Sequence, residues 1–172
     1  HLSILAIDGA KECCIELNSM SKSHNMPGWR VGMLAANAEF VSWILKVKSN
    51  IDSGTFRAVQ LAAAAAMDND EDWHREHNVR RYAERRTLAE SIMQALGCRF
   101  DRAQTGLFLW GRIPDALADA EELTERALHE ADVFITPGGI FGQNGRRYVR
   151  ISLCADENRM SEALARIQNV FA

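Results

Sequence analysis

A surplus of positive charge, lysines, prolines and long apolar runs are all missing or scarce in these 172 residues, and each shortage excludes something. Lys and Arg total 20 against 23 Asp and Glu, so the net charge of -3 and pI near 6.0 lack the basic footprint of a dedicated nucleic-acid binder. No nucleic-acid partner is expected. The longest apolar run, Leu61 to Met67, falls far short of the roughly 20 residues a membrane-spanning helix needs. No basic stretch followed by an apolar core opens the chain. Neither a membrane partner nor export is expected, and a cytoplasmic location is. The four cysteines show no CxxC or metal-ligand spacing, because Cys13 and Cys14 are adjacent, Cys98 follows Gly97 and Cys154 ends a strand-like run. They read as free thiols in a reducing compartment. His74 and His77 lie three apart on an expected helix without a Cys, Asp or Glu partner at helical spacing, so no metal site is expected.

What is present is an ordinary globular composition, 47% hydrophobic and 25% charged. Leu2 to Ile7 reads as an apolar strand and Cys13 to Leu17 as a second, buried one. Asn18 to Gly32 is a Ser, Asn, Pro and Gly-rich loop, and Val31 to Ala36 resumes an apolar run. Phe40, Trp43, Ile44 and Val47 then recur at helical spacing within Glu39 to Asn50. The Ala-rich stretch Thr55 to Met67 suits a tightly packed helix. One long helix is expected over Trp73 to Leu96, ended by Gly97, with Arg75, Arg80, Arg81, Arg85 and Arg86 on a solvated, salt-bridged face.

Strand, helix, strand, Pro-Gly-Gly loop, strand and helix follow: Leu107 to Trp110, Ala116 to Ala131, Val133 to Ile135, Tyr148 to Cys154 and Glu157 to Phe171, the last behind Asp156 as N-cap. The fold class is therefore α/β. Residues 73–172 have the size of a complete small domain, whereas residues 1–72 offer too few strands to cover both faces of a buried sheet. The first part reads as the end of a larger α/β domain.

Ser19-Met20-Ser21-Lys22, followed by Gly28-Trp29-Arg30-Val31-Gly32, is the stretch that carries chemistry. Of the four lysines, Lys46 and Lys48 fall on the polar side of a helix and Lys11 lies in a turn, which leaves Lys22 among hydroxyls just past a strand. A lysine in an apolar or cationic setting is a usable nucleophile toward an aldehyde. Ser19 and Ser21 can donate to phosphate oxygens, and Arg30 offers a planar fork to the same dianion. A polar surface loop that happens to contain Ser and Lys fits the spacing equally well. In Tyr148-Val149-Arg150-Ile151-Ser152-Leu153, Arg150 faces away from Val149, Ile151 and Leu153, as a carboxylate clamp or as a surface residue of an edge strand.

The run Ser19-x-Ser21-Lys22 with Gly28-x-Arg30-x-Gly32 resembles the cofactor-lysine signature of the class I and II aminotransferases. These are the fold type I enzymes that use pyridoxal 5'-phosphate. The strand around Arg150, after Pro137-Gly138-Gly139-Ile140-Phe141-Gly142, resembles the family's second signature. The resemblance implies that Lys22 forms the imine with the cofactor and moves the substrate proton. It further implies that Ser19, Ser21 and Arg30 bind the cofactor phosphate and that Arg150 binds the substrate α-carboxylate. Thr105 to Trp110 resembles the family's strand after the long helix, with Phe108 and Trp110 expected in the core.

The resemblance runs from about residue 13 to the end and matches only the C-terminal portion of the family. It implies the last part of a cofactor-binding large domain over residues 1–72 and a complete small domain over 73–172. The family's glycine-rich phosphate segment, ring-stacking aromatic and ring-nitrogen Asp have no place before Lys22, and Asp8 lies too near it to serve. The chain by itself is then expected to be inactive. The implied partners are an amino acid and a 2-oxo acid, with a homodimer for the parent and the Asn50 to Thr55 loop reaching the neighbouring subunit's site. A carbon-sulfur β-lyase or an aminocyclopropane-carboxylate synthase has a similar lysine loop, and a non-catalytic fragment is the third reading. The loop from His24 to Trp29 is most like the aspartate and diaminopimelate branch.

Overall fold

The computed structural model describes residues 3–171, with the side chains of Asp70, His77 and Asn78 outside that description. The paired-histidine idea at His74 and His77 therefore lies outside the described residues. The chain divides into two compact units, His1–His74 and Arg75–Ala172.

In the first unit Ile4–Ala6 is a turn of 3-10 helix, not the strand expected over Leu2 to Ile7, of which Leu2 lies outside the described residues. The cause is local: Ser3 Oγ accepts the Leu5 N–H at 3.2 Å, and Gly9 at φ 78° turns the chain into a second 3-10 turn, Ala10–Glu12. Strand β1 (Glu16–Ser19) pairs antiparallel with β2 (Gly32–Ala35), from Glu16 opposite Ala35 to Ser19 opposite Gly32. β1 begins later than Cys13 and is not buried, since Leu17 is 76% exposed. Between the strands lies the single turn α1 (Met20–Ser23).

Asn37 caps α2 (Ala38–Ile51) by accepting the Phe40 N–H at 2.9 Å. The Ala-rich α3 (Arg57–Asp68) and the turn α4 (Asp70–Trp73) follow. Met20, Met26 and Ala63 form the buried cluster of this unit, with Val31, Ala62 and Ala66 packed on it. Small side chains on α3 let the methionine-bearing loop come down close.

Helix continues through His74–Arg81 as π-helix and then α5 (Tyr82–Ala95), where one uniform α-helix was expected. Gly97 at φ 70° ends it in the left-handed conformation. In the second unit β3 (Phe108–Arg112), β4 (Thr136–Pro137) and β5 (Tyr148–Ser152) form an antiparallel sheet in the order β3-β5-β4. Helix α6 (Ala120–Ala131) starts later than Ala116 because Asp119 caps it, and α7 (Glu157–Phe171) follows Asp156, which accepts the Arg159 N–H at 2.9 Å.

One face of this sheet and the three helices enclose the core, in which Met93, Leu109, Ile113, Val149 and Ile167 are fully buried. Arg85 and Arg86 are not simply solvated. Arg85 Nε donates to Glu157 Oε1 at 2.9 Å, tying α5 to the start of α7, and Arg86 Nη2 donates to the Arg102 carbonyl at 3.0 Å. No helix among the described residues is long and apolar enough to cross a membrane.

Candidate active site

Ser19 ends β1 and at once caps α1, its Oγ accepting the Ser21 N–H at 3.3 Å. That cap turns the chain so that Met20 points into the core while Ser21 is half-buried and Lys22 exposed. The loop closes on itself: Met20 N–H donates to the Val31 carbonyl at 3.2 Å, and the Met20 carbonyl accepts from His24 and Met26 at 3.2 and 3.3 Å. Ser19, Ser21 and Lys22 therefore share one turn, and Arg30 stands beside the residue to which that turn is bonded.

Gly32 is dictated by this closure, because a Cβ there would lie 2.6 Å from the Asn18 carbonyl oxygen. Asn25 and Arg30 both take left-handed backbone, at φ 51° and 50°. Arg30 Nη1 donates to the Pro27 carbonyl at 3.1 Å, which fixes the guanidinium over its own turn. Behind the loop, Trp73 Nε1 donates to the Ser23 carbonyl at 2.8 Å, and the His24 and His74 rings meet edge to face at 5.5 Å. Lys22 is exposed and flanked by the hydroxyls of Ser21 and Ser23.

In the second unit Arg150 is the middle residue of β5, opposite Trp110 on β3 and Thr136 on β4. Its Cζ lies 4.2 Å from the Phe108 ring centre and 4.3 Å from that of Phe141, and Phe141 in turn meets Trp110 edge to face at 5.4 Å. The guanidinium thus packs against both aromatic rings. Among the described residues Arg150 Nε is buried with no hydrogen-bond partner. Leaving a buried charged donor unpaired costs free energy that a hydrogen-bond acceptor would recover.

Phe108 and Trp110 are not in the core, as expected from their sequence, but half-buried on the Arg150 face. Strand alternation puts the two on one face; only the register with β5 says which. The Phe141 contact has no sequence signal, because it comes from an irregular loop. Gly138 keeps that loop close to the sheet, where a Cβ would lie 2.6 Å from the Tyr148 carbonyl oxygen. Gln104 lines the free edge of β3, its side-chain amide bonding both the N–H and the carbonyl of Trp110, at 2.9 and 2.8 Å.

Residues 3–167 match the family model of aminotransferase class I and II, and the chain belongs to that family. It is a family of pyridoxal 5'-phosphate enzymes, and the fold is the family's fold type I.

The chain is 40% identical over 171 residues to the LL-diaminopimelate aminotransferase of Nitratidesulfovibrio vulgaris (strain Miyazaki F), covering 98% of this chain and 43% of that protein. It is 39% identical over 169 residues to the enzyme of the same name from Aquifex aeolicus, with the same coverage. Among solved structures, the aromatic aminotransferase of Pyrococcus horikoshii superposes with a TM-score of 0.86 at 30% identity, over 99% of this chain and 46% of that one. BacF of Bacillus subtilis superposes with a TM-score of 0.85 at 32% identity, over 99% and 43%. The chain thus spans about 43% of the length of the curated relatives it matches.

Proposed function

We propose that this chain supplies the cofactor lysine, part of the phosphate site and the substrate-carboxylate arginine of an aminotransferase that takes LL-diaminopimelate as amino donor and a 2-oxo acid as acceptor. The observation that carries the reading is the serine-capped turn that anchors Met20 in the core and presents Lys22 between the half-buried Ser21 and Ser23. The donor chemistry fits a phosphate monoester: the Ser19 hydroxyl uses a lone pair on the Ser21 N–H and keeps its proton to donate, and Arg30 brings a guanidinium. Bound there, pyridoxal 5'-phosphate supplies the electron sink that lets an α-carbon lose its proton.

The protein's own part is binding, orientation and proton movement. Lys22 Nζ, on an exposed one-turn helix, holds the cofactor and carries the proton to and from the substrate α-carbon. Ser19, Ser21 and Arg30 fix the phosphate end. Arg150 takes the α-carboxylate on its buried edge, with Phe108 and Phe141 packed on the guanidinium and fixing its position. Residues 1–72 are then the end of the cofactor-binding domain and residues 73–172 the small domain, a division close to that between the two compact units. The donor assignment is supported by the relatives, which carry the diaminopimelate name at 37 to 40% identity. A homodimer in the cytoplasm belongs to the same proposal; the free cysteines fit a reducing compartment, and the exposed Ile51, Phe56 and Leu61 give apolar surface for a second subunit.

The test is an amino-transfer assay on the product of the reading frame that carries this chain, with LL-diaminopimelate set against aspartate, aromatic and aliphatic donors. Transfer from LL-diaminopimelate that is lost in Lys22→Ala is expected. Transfer only from another donor overturns the substrate, and elimination with release of a thiol overturns the reaction type.

A further inference from the structure

Two residues before β1 the chain places thiols side by side. Cys13 and Cys14 both donate their backbone N–H to the Ala10 carbonyl, at 3.1 and 2.8 Å, so a single oxygen fixes the backbone of the pair. Their sulfurs stand 3.8 Å apart, Cys13 exposed and Cys14 half-buried. The hydrogen bond shared with the Cys13 sulfur, and then burial, push the Cys14 thiol above the ordinary cysteine range.

A direct sulfur-sulfur bond suits this pair poorly. Adjacent residues across a trans peptide have Cα atoms about 3.8 Å apart, short of the roughly 4.4 Å or more found in ordinary disulfides. One bridging atom between the sulfurs removes that constraint. Among the described residues no group of three or more His, Cys, Asp and Glu side chains is assembled for a metal, so the pair offers two sulfurs and no further ligand of those types. A trivalent centre that already carries one organic group needs only two sulfurs. Cys13 also borders a shallow apolar depression with Ile15, Phe40, Trp43 and Ile44, against which an aromatic substituent can lie.

We propose that Cys13 and Cys14 are a dithiol binding site for trivalent organoarsenicals, with the organic group seated on Trp43 and Phe40. The step balances without an oxidant. A compound R–As(OH)2 exchanges both hydroxyls: two As–O and two S–H bonds break, two As–S bonds form, two waters leave, and arsenic stays trivalent.

The test uses hydrated phenylarsine oxide on the full chain, followed by intact mass and free-thiol titration. The expected result is one arsenic per chain that has lost both hydroxyls, with two thiols consumed, resistant to a monothiol and released by a dithiol. Chelation makes Cys13→Ser and Cys14→Ser each bind about a hundredfold more weakly. Cys154→Ser leaves binding unchanged, and circular dichroism confirms that the variants fold. An adduct that retains one hydroxyl, maps to Cys154, or forms equally well on a folded Cys14→Ser protein overturns the proposal.

Discussion

Arg150 and Phe108 meet diagonally across the β3-β5 ladder, with the guanidinium carbon 4.2 Å from the ring centre and Phe108 itself paired to Ser152. Phe141 also packs on the guanidinium at 4.3 Å, and Nε is buried without a hydrogen-bond partner; under the proposed role this is where an anion would pair. Binding of a small carboxylate or 2-oxo acid, followed by calorimetry or NMR, should be lost in Arg150→Ala. It should be weakened about tenfold in Phe141→Ala, where the stack on one face is removed. Lysine at 150 should rescue poorly, because a point charge lacks the fork. Undiminished binding by Arg150→Ala contradicts this role.

The lysine loop depends on a close backbone approach that glycine alone permits. Gly32→Ala pushes a methyl against the Asn18 carbonyl, at an expected cost of about 1–3 kcal/mol in unfolding experiments. Gly28→Ala meets nothing within 4 Å and should change stability by less than about 0.5 kcal/mol. Equal effects at the two positions contradict the account of the loop.

A pH dependence follows from Arg85 and Glu157. The Glu157 carboxyl is held below the usual glutamate range by the N–H of its own backbone at the start of α7 and then by the Arg85 guanidinium. A lowered carboxylate contributes stability that is fully present above the ordinary glutamate pKa and is lost as pH falls through the lowered value. Arg85→Gln should therefore lower the melting temperature most at neutral pH, with the gap to the parent closing on acidification. A gap that stays constant through the acid range counts against the pair.

Thiol reactivity separates the cysteines by burial. Cys98 sits among Met93, Ile113 and their neighbours, and burial pushes its thiol up to about 12. Alkylation at mildly alkaline pH should modify the exposed Cys154 and Cys13 and spare Cys98 until denaturant is added. Early labelling of Cys98 in the folded protein contradicts the packing described.

How far the sequence could be read depended on whether the determining contact was local. Asn37, Asp119 and Asp156 cap within their own turns, and the 3.6-residue period of Phe40, Trp43, Ile44 and Val47 gives α2 without reference to anything else. The apolar run at Ile4–Ala6 misleads because composition does not reveal that Ser3 and Gly9 bend it. The π-helical passage His74–Arg81 carries no apolar periodicity that would distinguish it from α-helix, because its residues are almost all polar, and Arg85 looks solvated until α7 arrives. At the candidate site, the signature residues of the lysine loop and Arg150 were legible as chemistry. The aromatic clamp was not, because the β3-β5 register and the path of the Phe141 loop are set by distant parts of the chain.

The central claim is that Lys22 is the cofactor lysine, and reductive trapping tests it most directly. The chain is incubated with pyridoxal 5'-phosphate, reduced with borohydride and digested for peptide mass mapping. Lys22 is one of four lysines, and the account predicts a pyridoxyl group on it alone, with labelling weakened in Ser21→Ala and Arg30→Ala. Equal labelling of Lys11, Lys46 and Lys48, or none at Lys22, contradicts it.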